Sequence, residues 1–150
     1  MKLRVIWISP KSRSKEAAYD VLTREYISRI AKYQAVEASD VPNEAALLKL
    51  LERSTGRTAP VLVLLDARGK ELTSEQFAGF IEAQQSADVQ HLIFAIGPAN
   101  GFSDGSRDAA DKVISFSKMT LPHELARVVL LEQIYRAFTI LRKHPYHCGH

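Results

Sequence analysis

The chain has a single cysteine, Cys148, so no disulfide can close within it, and the reducing cytoplasm is the expected setting. It also lacks a long uninterrupted apolar run. The N-terminal MKLRVIWISP is broken by Pro10, Lys11 and Arg13 well short of a signal peptide's apolar region. The amphipathic stretch at 121–143 carries Glu124, Arg127, Glu132 and Arg136, each costly in hydrocarbon, so no membrane partner is expected. Neither GxGxxG nor GxxxxGK[ST] occurs, which argues against a Rossmann dinucleotide site and a P-loop. Ser115 and Ser117 stand outside any nucleophile-elbow context. Repeats, low-complexity segments and linkers are absent, and 150 residues fit one domain, 1–150, able to bury about two thirds of its unfolded surface.

The balance of 20 Lys and Arg against 17 Asp and Glu gives only +3, but the charge is unevenly placed. No acid follows Glu132, whereas Arg136, Arg142, Lys143, His144, His147 and His150 crowd the end. Such an end can contact phosphate. Arg142 and Lys143 are equally explained as cations complementing a helix C-terminus. His144, His147, Cys148 and His150 have the composition of a metal cluster, yet their spacing matches no zinc pattern and they have little scaffold, so no metal is expected. Lys11, Arg13, Lys15, Arg24, Arg29 and Lys32 form a second basic group, interleaved with Glu16, Asp20 and Glu25 as on a solvated helix face.

What is present reads as alternating strands and helices. Leu3 to Ile8 is a short apolar, β-branched run of the kind buried on both faces of a parallel sheet. Helical spacing of Ala18, Val21, Leu22, Tyr26, Ile27 and Ile30 predicts a helix from Lys15 to Lys32, with Ser14 as N-cap. A weaker strand is expected at 33–38. A helix then runs from Pro42–Asn43 through Glu52 and stops at Ser54 to Gly56. Ala59 to Leu65 reads as a central strand ending in a turn at 66–69, where Gly69 would supply a positive φ. Thr73 and Gln76 have capping-box spacing ahead of a helix with Phe77, Phe80 and Ile81 inward. A buried strand at 92–96 is broken by Gly97 to Gly101, and a short helix at 103–111 leads to a last strand at 112–116. The long helix at 121–143 follows. Its apolar positions Leu125, Val128, Val129, Leu131, Ile134, Tyr135, Phe138 and Leu141, widened by Leu130 and Ile140, make a face too broad for one sheet. A second copy of the molecule is therefore expected against it. The whole is an α/β fold, mostly a parallel sheet with helices on both faces.

In open α/β sheets, ligands bind beyond the carboxyl ends of the strands. Three such ends are distinctive: Leu65–Asp66, residues 97–102 and residues 116–120. Gly97 and Gly101 allow close backbone approach, and main-chain groups there can hold the edge of a planar heterocycle. Glycines at a strand-to-helix turn are more often purely structural.

FAIGPANGFS, followed by ISFSKMTLPHELARVVLLEQIYRAFTILRKHPYH, resembles the large-subunit ribosomal RNA methyltransferase H family of the SPOUT class, whose members methylate N3 of a pseudouridine. The likeness extends over VLLDARGKELTSEQFA at 63–78 and more loosely to the N-terminal strand and helix. It implies a cytoplasmic homodimer with a C-terminal trefoil knot that uses S-adenosyl-L-methionine and acts on 23S rRNA in the assembled ribosome or large subunit. By matching position, the resemblance gives Leu65, Gly97, Phe116, Ser117, Lys118, Met119, Thr120 and Leu121 as cofactor contacts. Pro98 stands where the family has a second glycine, which removes one amide donor, and IWISPKSR replaces a glycine-containing turn.

The resemblance also implies a catalytic group at the end of the chain. Arg136 is expected to contact phosphate or the base anion. His144, Tyr146 and His147 are expected to shape the substrate pocket, with one His accepting a proton. Ordinary packing of Tyr146 and solvated histidines are the alternatives. A methyltransferase of the same architecture acting on tRNA and a non-catalytic ribosome-binding module are the competing functions.

Overall fold

A computed structural model describes residues 1–9, 17–53, 58–98 and 100–148. The expectations placed on Pro10 to Glu16, on the stop at Ser54 to Gly56 and on His150 lie outside them. In chain order the elements are β1 (Lys2–Ile8), α1 (Ala17–Ala31), β2 (Val36–Val41), α2 (Glu44–Arg53), β3 (Val61–Glu71), α3 (Ser74–Ser86), β4 (His91–Ile96), α4 (Asp104–Ala109), β5 (Lys112–Ser115) and α5 (His123–Leu141). The strands form one parallel sheet in the order β2-β1-β4-β3-β5.

The apolar runs of β1, β3 and β4 follow from this order, since central strands are covered on both faces. Alternate residues serve opposite cores. Leu92, Phe94 and Ile96 face a core shared with α1, α3 and α5, and Ile93 and Ala95 face one shared with Leu47 of α2 and Phe102. The expected capping box is formed: the Gln76 N–H donates to Thr73 Oγ1 at 3.0 Å, and the Thr73 N–H to Gln76 Oε1 at 2.9 Å.

Five expectations need correction. The weak strand begins at Val36, not Tyr33, because the N–H groups of Tyr33 and Gln34 donate to the Ile30 carbonyl at 2.8 and 3.0 Å and so close the end of α1. In α1 only Ile30 of the anticipated apolar set is fully buried, while Val21 and Leu22 stand in solvent. β3 does not stop at Leu65. Leu65 and Lys70 both stand opposite Ile114, so residues 66–69 leave the ladder and β3 then resumes. Gly69 serves space here, not a positive φ: a Cβ on it would lie 2.7 Å from the Ile114 and Val113 backbone. Finally, the broad face of α5 is covered largely by the chain itself. Leu130, Leu131, Ile134, Ala137 and Phe138 are buried against the sheet with α1 and α3 alongside, so breadth alone demands no second copy.

Candidate active site

The excursion of β3 at residues 66–69 and the carboxyl ends of β4 and β5 open on a cleft of about 310 Å³, within the range of small-molecule sites. It is lined by residues 65–68, 96–98, 100–101, 115–117 and 119–121, with His123 and Ala126 from the start of α5. Leu65, Gly97, Phe116, Ser117, Met119, Thr120 and Leu121 are thus brought together. Lys118 is exposed and not among the lining residues. Among the described residues, Thr120 and Leu121 make no main-chain hydrogen bond, so their N–H and C=O groups remain open to a ligand. The loop before them is held by Ser117, whose Oγ accepts the Met119 N–H at 3.0 Å.

Pro98 and Gly101 close a turn after β4. The Gly101 N–H donates to the Pro98 carbonyl at 2.9 Å, so the proline that costs an amide donor supplies the acceptor of the turn. Gly101 has φ +85°, a conformation disfavoured for residues with a side chain. Gly97 is buried, and a Cβ on it would meet the Phe102 ring at 2.8 Å. Its missing side chain therefore admits a protein ring rather than a ligand.

Sequence reasoning missed the Asp66–Arg68 pair, which DARG presents only as a turn. The Asp66 side chain is almost fully buried. It accepts from Arg68 Nε at 3.0 Å, Arg68 Nη2 at 2.9 Å, the Arg68 N–H at 2.9 Å and the Phe102 N–H at 3.1 Å. The Arg68 guanidinium holds the Asp66 carboxyl well below the usual carboxylate range, overcoming the opposing effect of burial. The cleft wall is thereby ionic in composition but close to neutral.

Arg127 was also missed as a buried group. Only 2% exposed, it lies 4.3 Å over the Trp7 ring and 3.4 Å from Asp20, tying the start of α5 to β1 and α1. Arg29 is half-buried, pairs with Glu25 at 2.8 Å and lies over Tyr26 and Tyr135, whereas Arg24 and Lys32 are exposed. Lys11, Arg13 and Lys15 lie outside the described residues.

The four C-terminal residues singled out from sequence do assemble. Arg136 donates to Glu132 Oε1 from Nε at 3.0 Å and Nη2 at 2.7 Å, and lies 4.9 Å from the Tyr146 ring centroid. The Tyr146 hydroxyl donates to the same oxygen at 3.0 Å, and its ring meets Tyr135 edge-on at 4.8 Å. Burial, together with Glu132, pushes Tyr146 up to about 12. His147 bridges Arg136 Nη1 at Nδ1 (3.0 Å) and Glu75 at Nε2 (2.8 Å). His144 is exposed, and its Nδ1 accepts the Tyr146 N–H at 3.2 Å.

Two features of this cluster differ from expectation. Glu132 and Glu75, the latter distant in sequence, offset the charge of a tail that looked unopposed. The imidazoles are also not vacant bases. Guanidinium and amide groups are donors only, so both Nδ1 atoms must accept, and both neutral rings carry the proton on Nε2. The cluster stands apart from the cleft: Ala126 lines the cleft and Arg136 lies ten residues farther along α5, about 15 Å along the axis.

Among the described residues no group of three His, Cys, Asp or Glu is placed to hold a metal, and no helix is long and apolar enough to cross a membrane. The model of the family described as predicted SPOUT methyltransferase matches residues 1–147. A Koribacter versatilis protein named ribosomal RNA large subunit methyltransferase H is 55% identical over 150 residues, covering 100% of both chains. The protein of that name from Geobacter sulfurreducens is 42% identical, over 98% of this chain and 99% of that one. The fold is similar to that of the SpoU methyltransferase AviRb from Streptomyces viridochromogenes, solved with AdoMet, at TM-score 0.51 and 17% identity, covering 89% of this chain and 56% of that one. A probable methylase family protein from Haemophilus influenzae gives TM-score 0.55 at 9% identity, over 97% of this chain and 67% of the other.

Proposed function

The chain belongs to the SPOUT methyltransferase family, and from that membership we propose that it methylates N3 of a pseudouridine in 23S rRNA of the assembled ribosome or large subunit, with S-adenosyl-L-methionine as donor. Full-length likeness to proteins named for large-subunit rRNA methylation is the observation that carries this reading. The cleft suits the donor on its own evidence. Its volume, apolar lining and unengaged main-chain groups at Thr120 and Leu121 fit a flat heterocycle with polar edges. Leu65, the main chain of Gly97, and Phe116, Ser117, Met119, Thr120 and Leu121 would hold it, with Lys118 outside the lining. Within this reading the protein works in the cytoplasm as a homodimer, with its C-terminal part threaded as a trefoil knot.

The separation of tail and cleft supports the dimer better than the breadth of α5 does. One protomer's Arg136, the residue its Tyr146 and His147 pack on, lies about 15 Å along α5 from Ala126 of its own cleft, so a partner's tail would complete each site.

When bound, the donor supplies an electrophilic methyl carbon. The chain's part is to align N3 with that carbon and to allow the N3 proton to leave. Alignment alone can contribute roughly 7 to 11 kcal/mol, which makes a strong base unnecessary. Since both imidazoles carry their proton on Nε2, His144 serves as a donor toward a substrate carbonyl, stabilising the imide anion, while the N3 proton passes to water. Arg136, held by Glu132, contributes a fixed positive charge nearby.

Donor titration by calorimetry and nucleoside mass spectrometry of ribosomes from a strain lacking the protein test this reading. The expected results are heat on donor addition and disappearance of one methylated pseudouridine. Unchanged nucleosides would refute the assignment. Arg136→Ala should slow methyl transfer at saturating donor, and a wild-type rate would remove Arg136 from the mechanism.

A further inference from the structure

The Asp66–Arg68 wall of the cleft has no part in the mechanism above, yet it is tied to the glycine loop through Phe102. Arg68 Nη2 donates to the Phe102 carbonyl at 2.7 Å as well as to Asp66. Asp66 Oδ2 accepts the Phe102 N–H. Both main-chain polar groups of Phe102 are therefore held by two residues of the excursion within β3. Gly101 lies directly beneath this fork: a Cβ there would come within 2.9 Å of Arg68 Nη2 and 3.0 Å of Asp66 Oδ2. At the other end of the loop the Phe102 ring seats against Gly97.

We propose that Arg68 is a positioning residue for the methyl donor, fixing Gly101 and Phe102 at the edge of the cleft through Asp66 and the Phe102 carbonyl. The role rests on the donor reading given above. A guanidinium engages a carboxylate through two parallel hydrogen bonds in one plane, so it fixes orientation as well as distance. A lysine ammonium at the same position would restore charge without that plane. The Arg68 side chain is 51% exposed and Phe102 only 2% exposed, so removing the guanidinium should loosen the loop while leaving the core packed. Asp66 would keep the backbone N–H donors of residue 68 and Phe102, and the Phe102 carbonyl would lose the partner that closes the loop.

The test compares wild type, Arg68→Ala and Arg68→Lys by calorimetric titration with S-adenosylmethionine. It adds steady-state kinetics on ribosomes lacking the modification and hydrogen exchange at the Gly101 and Phe102 amides. Arg68→Ala should raise the donor KM and dissociation constant by about tenfold, the worth of one hydrogen bond to a charged group. Its kcat at saturating donor should stay within about twofold, and exchange at Gly101 and Phe102 should quicken. Arg68→Lys should stay close to the alanine variant, whereas recovery to wild type would mean that charge and not the fork matters, and would overturn the proposal. Donor affinity equal to wild type in Arg68→Ala would overturn it too. A wild-type protein that gives no heat with the donor would instead bring down the donor reading, and this role with it.

Discussion

Replacing Gly101 by alanine sets two local costs against one small gain. A side chain at φ +85° costs about 1–2 kcal/mol. The new Cβ would also stand 2.9 Å from Arg68 Nη2 and 3.0 Å from Asp66 Oδ2, so the fork must shift by a few tenths of an ångström. Weakening those charged hydrogen bonds adds about 1–2 kcal/mol. Lower unfolded-chain entropy returns about 0.4–1 kcal/mol, leaving a net loss of about 2–3 kcal/mol. At about 2–4 °C per kcal/mol for a chain of this length, Tm should fall by about 4–12 °C. Gly79→Ala is the internal control. Gly79 lies exposed in α3, and a Cβ added there would meet nothing within 4 Å, so alanine should stabilise by about 0.5–1 kcal/mol and raise Tm by about 1–4 °C. Differential scanning calorimetry reads both signs, and donor titration of Gly101→Ala should show affinity reduced by about tenfold or more. A Gly101→Ala protein that melts at or above wild type would refute the reasoning from φ and the fork.

Three further outcomes follow from the packing and the perturbed groups. Phe94→Ala deletes a fully buried ring 5.6 Å from Phe77 and should cost about 3–5 kcal/mol in urea unfolding; a loss under about 1 kcal/mol would mean that the core collapses around the gap. Asp66 has its folded pKa depressed by Arg68. Its contribution is therefore complete above the unfolded value of about 3.9 and is lost as pH falls through and below it. Wild type should lose Tm more steeply than Asp66→Asn on acidification from about pH 5 to pH 3, and parallel curves would contradict this. For Tyr146, raised from 10.0 to about 12, the sign is opposite: its contribution is present below about pH 10 and lost as pH rises toward 12. Spectrophotometric titration should show a late phenolate step that Tyr146→Phe removes.

The central sheet and the ends of β4 and β5 were legible because their signals are local. Apolar runs at β1 and β4, the capping box at Thr73 and the break after Ile96 each declare themselves within a few residues. What escaped depends on partners far along the chain. The departure and return of β3 is set by Ile114, so DARG looks like the end of a strand. Arg127 looks like an exposed helix charge until Trp7 and Asp20 fold over it. The tail looks strongly basic until Glu75 of α3 meets His147. The cleft could be located from strand ends, but its neutral ionic wall could not, because Phe102 completes it from another loop.

Because β3 rejoins its neighbour on the rung it left, residues 66–69 add nothing to the phase of the strand. The length of this segment can be recut without sliding any other pair in the sheet, provided Asp66 and Arg68 keep their hold on Phe102 and the closing residue is still small enough to lie against the β5 backbone. The specificity of the cleft can therefore change on a different schedule from the framework that carries it.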